Sequence, residues 1–216
     1  EKGAQGVLEN AGVHREIVVT ADPALLIKPE PLPRGLLKRE GLEGRRRIIG
    51  MSVREPGVAA PDLDPSVYHS LLANAADYMV DRFDADIVFV PMEHSMQDLQ
   101  HSHAVIAKML RPQRARVLNG EYTSGQILAL TNRFDFAVGM RLHFLIFAAL
   151  RGTPFSALPY ASKVSGLLED LGMDTPPLGD IGIGQLIGRI DRKWDMREEV
   201  RAGIAGRVPQ LRQRAK

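Results

Sequence analysis

The chain has 216 residues, of which 44% are hydrophobic and 25% charged, and its formal net charge is only +2. These values are ordinary for a globular domain, and the charge is too balanced to argue for a nucleic-acid partner. The absence of cysteine excludes disulfides and thiolate metal sites. Neither a transmembrane-length apolar stretch nor a signal-peptide pattern is present, so we expect a cytoplasmic protein.

The first predicted element is a helix that ends at Gly12, since glycine suits a left-handed C-cap. The apolar run 17–20 then predicts a short buried strand. Between residues 28 and 44, prolines, glycines and alternating charges are typical of a linker. We therefore place a domain boundary in this part of the chain.

Beyond the linker, strand-like apolar runs alternate with helical patterns. Solid apolar runs are typical of parallel strands covered on both faces, so the predicted fold class is α/β with a doubly wound parallel sheet. Strands are predicted over 47–54, 86–91, 115–118, 136–139 and 154–158, and helices over 67–83, 95–110, 123–132, 141–150 and 163–171.

The C-terminal segment, 190–216, is rich in arginine and predicts a helix pair broken near Pro209. Its basic side chains, together with Trp194, could contact anionic membrane lipid. We favour the alternative that the segment packs on a neighbouring domain with its charges in solvent.

The junction after the strand 136–139 carries an arginine and a histidine, Arg141 and His143, at the start of an apolar helix. In open α/β folds, ligands bind just beyond the carboxyl ends of the strands. The helix N-terminus adds partial positive charge and free N–H groups. This pattern favours an anionic ligand with a proton to move.

Other charged side chains also follow predicted strands. Arg54 ends one strand, His94 follows another, and Lys163 comes 20 residues after His143. Three cations in one crevice (Arg54, Arg141 and Lys163) would suit a ligand with two anionic groups, such as a phosphate and a carboxylate. Histidine titrates near neutrality, so His143 could transfer a proton.

Structural explanations stay open for the same residues. Arg141 could pair with a carboxylate at the end of the sheet, and His143 could be a buried histidine with its hydrogen bonds satisfied. His94, Asp98 and His101 could share one helix face as metal ligands, but a solvated face is more common, and we assign no metal.

A phosphate cradle is a further possibility at the predicted helix start Tyr122–Gly125, where hydroxyls precede a glycine. An ordinary N-cap explains the same residues and is the more common case.

Several of these motifs together resemble the polysaccharide pyruvyl transferase family, and the resemblance runs from about Gly12 to Gly172. The bacterial cell-wall members are the most similar. The matching pieces are Gly139–His143 with the apolar run 145–149, Gly152-Thr153-Pro154, Tyr160, Lys163-Val164, Leu171-Gly172, Val19–Leu26, Gly50–Arg54, and Phe89–Met92 with Asp98.

The resemblance implies a two-domain, GT-B-like architecture. Residues 1–29 would be the end of a truncated N-terminal Rossmann-like domain, and 30–216 the C-terminal one with a crossover helix. It also implies transfer of the enolpyruvyl group of phosphoenolpyruvate onto a lipid- or nucleotide-linked saccharide, as a ketal, in cell-envelope polysaccharide synthesis. No cofactor is implied. The implied location is cytoplasmic, either free or peripheral at the inner face of the membrane.

Residue roles follow from the same resemblance. His143 would transfer the proton, and Arg141 and Lys163 would hold the phosphate and carboxylate of phosphoenolpyruvate. Arg54, His94 and Tyr160 would be further substrate-binding residues. Two departures stand out: Ala161 replaces the family's aspartate, and the N-terminal domain with its Asn-x-Gly-Asp loop has no counterpart, so the fragment alone could be inactive.

Two other functions are compatible with the sequence. A GT-B glycosyltransferase would use a nucleotide sugar, for which a carboxylate that grips the ribose would be the expected feature. A non-catalytic domain would bind an anion and perform no chemistry.

Overall fold

The computed structural model describes residues 2–55, 64–93, 97–158, 162–174 and 182–216, and within them one five-stranded parallel sheet forms the centre. Its strand order is β3-β2-β1-β4-β5, which confirms the predicted doubly wound α/β fold. The strands are β1 (Ile48–Ser52), β2 (Asp86–Phe89), β3 (Ala115–Val117), β4 (Phe136–Gly139) and β5 (Phe155–Ala157).

Helices connect the strands and cover the sheet. They are α1 (Lys2–Asn10), α2 (Leu36–Arg39), α3 (Pro65–Phe83), α4 (Asp98–Ile106), α5 (Ser124–Thr131), α6 (Leu142–Arg151), α7 (Ser162–Asp170), α8 (Ile183–Asp195) and α9 (Arg197–Arg214), with 3-10 turns at Pro23–Leu26 and Pro112–Arg114. None of the helices in these ranges is long and apolar enough to cross a bilayer.

The solid apolar runs form strands because both faces of the sheet are covered. Every residue of β1, β2, β4 and β5 is buried. Only on the edge strand β3 does a central residue, Arg116, reach solvent. β1 pairs with β2 on one side and with β4 on the other, so the strand order reverses at β1. A ligand crevice is expected at this reversal.

The α6 helix approaches the sheet closely because its preceding strand ends in glycine. A Cβ on Gly139 would lie 2.6 Å from the Phe144 ring and 3.0 Å from Leu145. Arg141 is the N-cap of α6, and Gly152, with φ of 66°, ends the helix in the left-handed conformation. The sequence of this junction therefore places Arg141 directly above the end of β4.

The N-terminal segment departs from one prediction. The helix ending before Gly12 is confirmed, with Gly12 at φ 83°. The strand predicted over 17–20 is wrong, because the chain there forms no strand and Val18 is 74% exposed. Further on, Ala24 and Leu25 join the buried core. The domain boundary after residue 29 stays a prediction.

The C-terminal helices also correct the sequence analysis. The chain breaks at Met196, between α8 and α9, and Pro209 lies inside α9. Burial of Ile204 and Leu211 on either side of Pro209 holds the helix together despite the lost backbone hydrogen bond. Trp194 stacks on Phe83 at 4.2 Å, so α8 packs on a helix that covers this same sheet, while packing of the segment on a neighbouring domain stays a prediction.

Candidate functional site

Two arginines lie at neighbouring strand ends at the reversal point of the sheet. Ser52 of β1 pairs with Gly139 of β4, and Arg54 and Arg141 each follow two residues later. The Tyr68 hydroxyl joins the two ends, because it donates to the Arg54 carbonyl at 2.8 Å and lies 2.5 Å from Met140 Sδ. Burial strongly raises the pKa of Tyr68, so its hydroxyl keeps the proton that it donates.

Arg141 is held by a buried carboxylate. Its Nε donates to Asp98 Oδ2 at 3.0 Å, and its Nη2 donates to Oδ1 at 2.5 Å. Asp98 has no exposed surface and also accepts the backbone N–H groups of Met92 and Glu93, at 3.1 and 3.2 Å. The predicted alternative in which Arg141 pairs with a sheet-end carboxylate is thus what the structure shows. The pair fixes the plane of the guanidinium.

A second carboxylate reaches the remaining edge of the same guanidinium. Arg141 Nη1 lies 3.0 Å from Glu93 Oε2, and the Glu93 side chain is 46% exposed while that of Arg141 is 9% exposed. Arg54 in turn pairs with Glu55. We call Arg54, Glu55, Glu93, Asp98 and Arg141 the arginine cluster.

Two histidines pack against the arginine cluster. His69 Nε2 and His101 Nδ1 are 2.8 Å apart, and burial lowers the pKa of both rings. Of the metal ligands considered on α4, Asp98 contacts Arg141 and His101 contacts His69, and His94 lies outside the described residues. Within the described ranges, no group of three or more His, Cys, Asp or Glu side chains could hold a metal ion.

His143 lies in the first turn of α6, and its side chain is 59% exposed. The alternative that it is a buried histidine is therefore wrong. Its Nε2 is 3.8 Å from Asp22 Oδ2, while Asp22 Oδ1 accepts the Ala24 N–H at 2.8 Å. Asp22 is thus a charged neighbour that the sequence analysis missed, although it belongs to one of the motifs that carry the resemblance.

Of the remaining predicted site residues, the structure describes only Lys163. Lys163 is exposed in the first turn of α7, the helix that follows β5 and packs on α6. His94 and Tyr160 lie outside the described residues. The structure thus brings Arg54 and Arg141 together and places His143 and Lys163 on the helices that follow β4 and β5.

The possible phosphate cradle at Tyr122–Gly125 is an internally satisfied helix start. Thr123 and Gln126 form a reciprocal capping box at the N-terminus of α5. The Glu30 carboxylate accepts the Thr123 hydroxyl at 2.6 Å, and a Cβ on Gly125 would lie 2.6 Å from Glu30. A carboxylate of the chain itself therefore occupies the place that an anion would take.

The parallel strand order, with its reversal at β1, defines a Rossmann-like domain, and solved structures share this fold. A putative UDP-N-acetylglucosamine 2-epimerase from Listeria monocytogenes matches at 14% identity and a TM-score of 0.61, over 95% of this chain and 51% of that one. The S. aureus MnaA–UDP structure matches at 10% identity and a TM-score of 0.63, over 94% and 52%.

A UDP-forming α,α-trehalose-phosphate synthase from Burkholderia xenovorans is also similar, at 14% identity and a TM-score of 0.52, over 91% of this chain and 48% of that one. These likenesses establish the fold, the Rossmann-like domain of GT-B proteins. The chain spans about half the length of these structures.

A family model described as polysaccharide pyruvyl transferase matches residues 1–162. The chain therefore belongs to the polysaccharide pyruvyl transferase family, a family of transferases. This match confirms the resemblance seen in the sequence. A comparison with curated proteins gave no significant match.

Proposed function

We propose that this chain is the donor-binding half of a pyruvyl transferase that moves the enolpyruvyl group of phosphoenolpyruvate onto a saccharide in cell-envelope polysaccharide synthesis. One observation carries the proposal: Arg141 is fixed by buried Asp98 at the reversal of the sheet, two residues before exposed His143. Family membership supplies the reaction class.

The transfer reaction requires a proton donor near C3 of phosphoenolpyruvate and cations near its phosphate and carboxylate. Protonation of C3 leaves an oxocarbenium-like C2, which a saccharide hydroxyl attacks while a base takes its proton. Phosphate then leaves with the electrons of the C2–O bond, and a second hydroxyl closes the ketal. Cations and one imidazole are sufficient for these steps without a metal or an organic cofactor.

The residues of the chain fit these roles as follows. Arg141 and Arg54 bind the anionic groups of the donor, and Lys163 adds a cation from the neighbouring helix. His143, which is open to solvent, delivers the proton to C3. The acceptor, a lipid- or nucleotide-linked saccharide, approaches from the side of an N-terminal domain.

Titration calorimetry of the protein with phosphoenolpyruvate, and separately with UDP, tests the donor. We expect phosphoenolpyruvate to bind and UDP not to bind. Arg141→Lys keeps a positive charge beside Asp98 but loses the planar guanidinium with its several N–H donors. It should therefore weaken the affinity for phosphoenolpyruvate at least about tenfold. Arg46→Lys, on an exposed residue before β1 at the opposite edge of the sheet, is the matched control and should bind like wild type.

UDP binding without phosphoenolpyruvate binding would instead indicate a glycosyltransferase that uses a nucleotide sugar.

Phosphate release from phosphoenolpyruvate in the presence of saccharide acceptors tests the transfer. His143→Gln should lower kcat about 100-fold or more and leave the Kd for phosphoenolpyruvate nearly unchanged. An equal loss of binding and turnover would contradict a proton-transfer role. A protein that binds phosphoenolpyruvate but transfers to no acceptor would be a non-catalytic anion-binding domain.

A further inference from the structure

In the structure, the net charge of the arginine cluster does not favour binding of an anion. Two guanidinium groups face three carboxylates, from Glu55, Glu93 and Asp98. A donor with a phosphate and a carboxylate would enter a site whose cations already have anionic partners. Binding therefore requires one of these carboxylates to leave its arginine.

Asp98 is the carboxylate that cannot leave. It is fully buried and holds Arg141 through two nitrogens. It also accepts two backbone N–H groups of the loop after β2. Moving it would leave the buried Arg141 charge without this carboxylate, and it would also break the hydrogen bonds that hold the loop after β2.

Glu93 differs from Asp98 in its exposure and in its contact with Arg141. Its side chain is 46% exposed, and its carboxylate meets Arg141 at one nitrogen only, Nη1, at 3.0 Å. Its backbone N–H is anchored on Asp98 at 3.2 Å, so the side chain can rotate into solvent while the loop stays in place. Because the Glu93 carboxylate is already partly solvated, moving it into water costs less than moving the fully buried Asp98 would.

We propose that the Glu93 carboxylate occupies Arg141 Nη1 when no donor is bound, and that an anionic oxygen of the donor replaces this carboxylate on binding. The inference rests on the proposed function, since it assigns the donor to Arg141. The two carboxylates then have different roles. Asp98 is a positioning residue that orients the guanidinium, and Glu93 sets the affinity of the site for an anion. Glu93 then competes with the ligand, and its charge lowers the affinity for the donor.

The test is calorimetric titration of the protein with phosphoenolpyruvate in wild type and in Glu93→Gln. Glutamine keeps the size of the side chain and removes its charge, so we expect binding to become about fivefold tighter. Glu43→Gln makes the same change of charge at an exposed residue before β1, and it should leave the affinity unchanged. Thermal unfolding of each variant confirms that the fold is intact.

Titrations with inorganic phosphate and with pyruvate identify the group that replaces Glu93, because only one of the two should gain affinity in Glu93→Gln. Wild-type binding that Glu93→Gln leaves unchanged or weakens would overturn the inference while leaving the proposed function in place. A gain of equal size in Glu43→Gln would also overturn it, since the effect would then be a general one of charge. If neither wild type nor Glu93→Gln binds phosphoenolpyruvate, both the inference and the proposed function fail.

Discussion

Asp98 is the residue on which the geometry of the site depends most. It joins three separate parts of the chain: α4, on which it lies, the loop after β2, and Arg141 at the start of α6. A buried carboxylate is expensive unless it is paired and hydrogen-bonded, and here its partners meet both conditions. The same contacts that stabilise Asp98 therefore set the direction of Arg141.

Asp98→Asn should be strongly destabilising, because it removes the buried charge that pairs with two nitrogens of the Arg141 guanidinium. We expect the free energy of unfolding in urea to fall by about 3–5 kcal/mol. Glu93→Gln is the control on the exposed side of the same arginine and should cost no more than about 1 kcal/mol. Equal losses in the two variants would show that burial does not separate the two carboxylates.

At this scale, the sequence predicted which arginines follow neighbouring strand ends better than it predicted their contacts. Arg54 and Arg141 could be placed because the carboxyl ends of parallel strands meet at one edge. The partner of Arg141 could not be found, because Asp98 is 43 residues away in the chain and its spacing to the nearby histidines also fits a helix face. Asp22 was missed for the same reason, since only the folded chain brings it to His143.

Among the elements, the contact between β4 and α6 depends on a residue without a side chain. Gly139→Ala would place a methyl group 2.6 Å from the Phe144 ring, and both residues are buried. We expect a loss of about 1–3 kcal/mol in the free energy of unfolding from overpacking. Gly184→Ala in α8 meets nothing within 4 Å and should be neutral or stabilising. A neutral Gly139→Ala would mean that α6 can shift without cost.

The contact between α3 and α4 should depend on pH through His69 and His101. Burial lowers the pKa of both, so the unfolded chain takes up protons first as the pH falls below about 6.5. Their contribution to stability is present above that pH and is lost below it. Lys108, which faces His69, and Arg54 and Arg141, which face His101, act in the same direction, while Glu55 and Asp98 oppose them.

Urea unfolding at pH 7.5 and pH 5.5 measures this dependence. The double variant His69→Gln/His101→Gln should lose less stability than wild type between the two values. His14→Gln, on an exposed residue near the N-terminus, should behave as wild type does. A double variant with the full wild-type dependence would assign the effect to other groups.

The elements that the sequence predicted well are those whose apolar pattern also decides their burial. Strands β1, β2, β4 and β5 are solid apolar runs, and each is buried throughout. The run 17–20 has the same local pattern, but no neighbouring strand pairs with it in the described residues, so pattern alone was misleading. At Pro209 the error was the opposite one. The sequence predicted a break in the helix, but the packing of α9 outweighs the tendency of proline to end a helix.

Over the whole molecule, the segment 21–26 contacts the C-terminal helix α9. Ala21 N–H donates to the Arg214 carbonyl at 3.1 Å, and the 3-10 turn Pro23–Leu26 packs on both α6 and α9. The last helices are therefore part of the same core as the sheet. This arrangement predicts that they unfold together with the sheet and not before it.

Trp194, the one tryptophan of the chain, reports on this cooperativity. It lies on α8, stacks on Phe83 of α3 and meets Phe136 of β4 edge-on at 5.8 Å. Its fluorescence should change when α8 leaves the sheet, because the ring then loses these contacts and becomes exposed to water. We therefore expect the urea transition followed by tryptophan fluorescence to coincide with the one followed by far-ultraviolet circular dichroism.

A Trp194→Ala variant measures how much this contact stabilises the fold. The ring is 7% exposed, so its removal should cost about 3–5 kcal/mol of unfolding free energy. Arg197→Gln removes the guanidinium over the ring, 4.9 Å from its centre, and its hydrogen bond to the Trp194 carbonyl, and should cost about 1–2 kcal/mol. A fluorescence transition at clearly lower urea than the circular dichroism transition would show instead that α8 and α9 detach as a separate unit, because the sheet would then keep its structure without them.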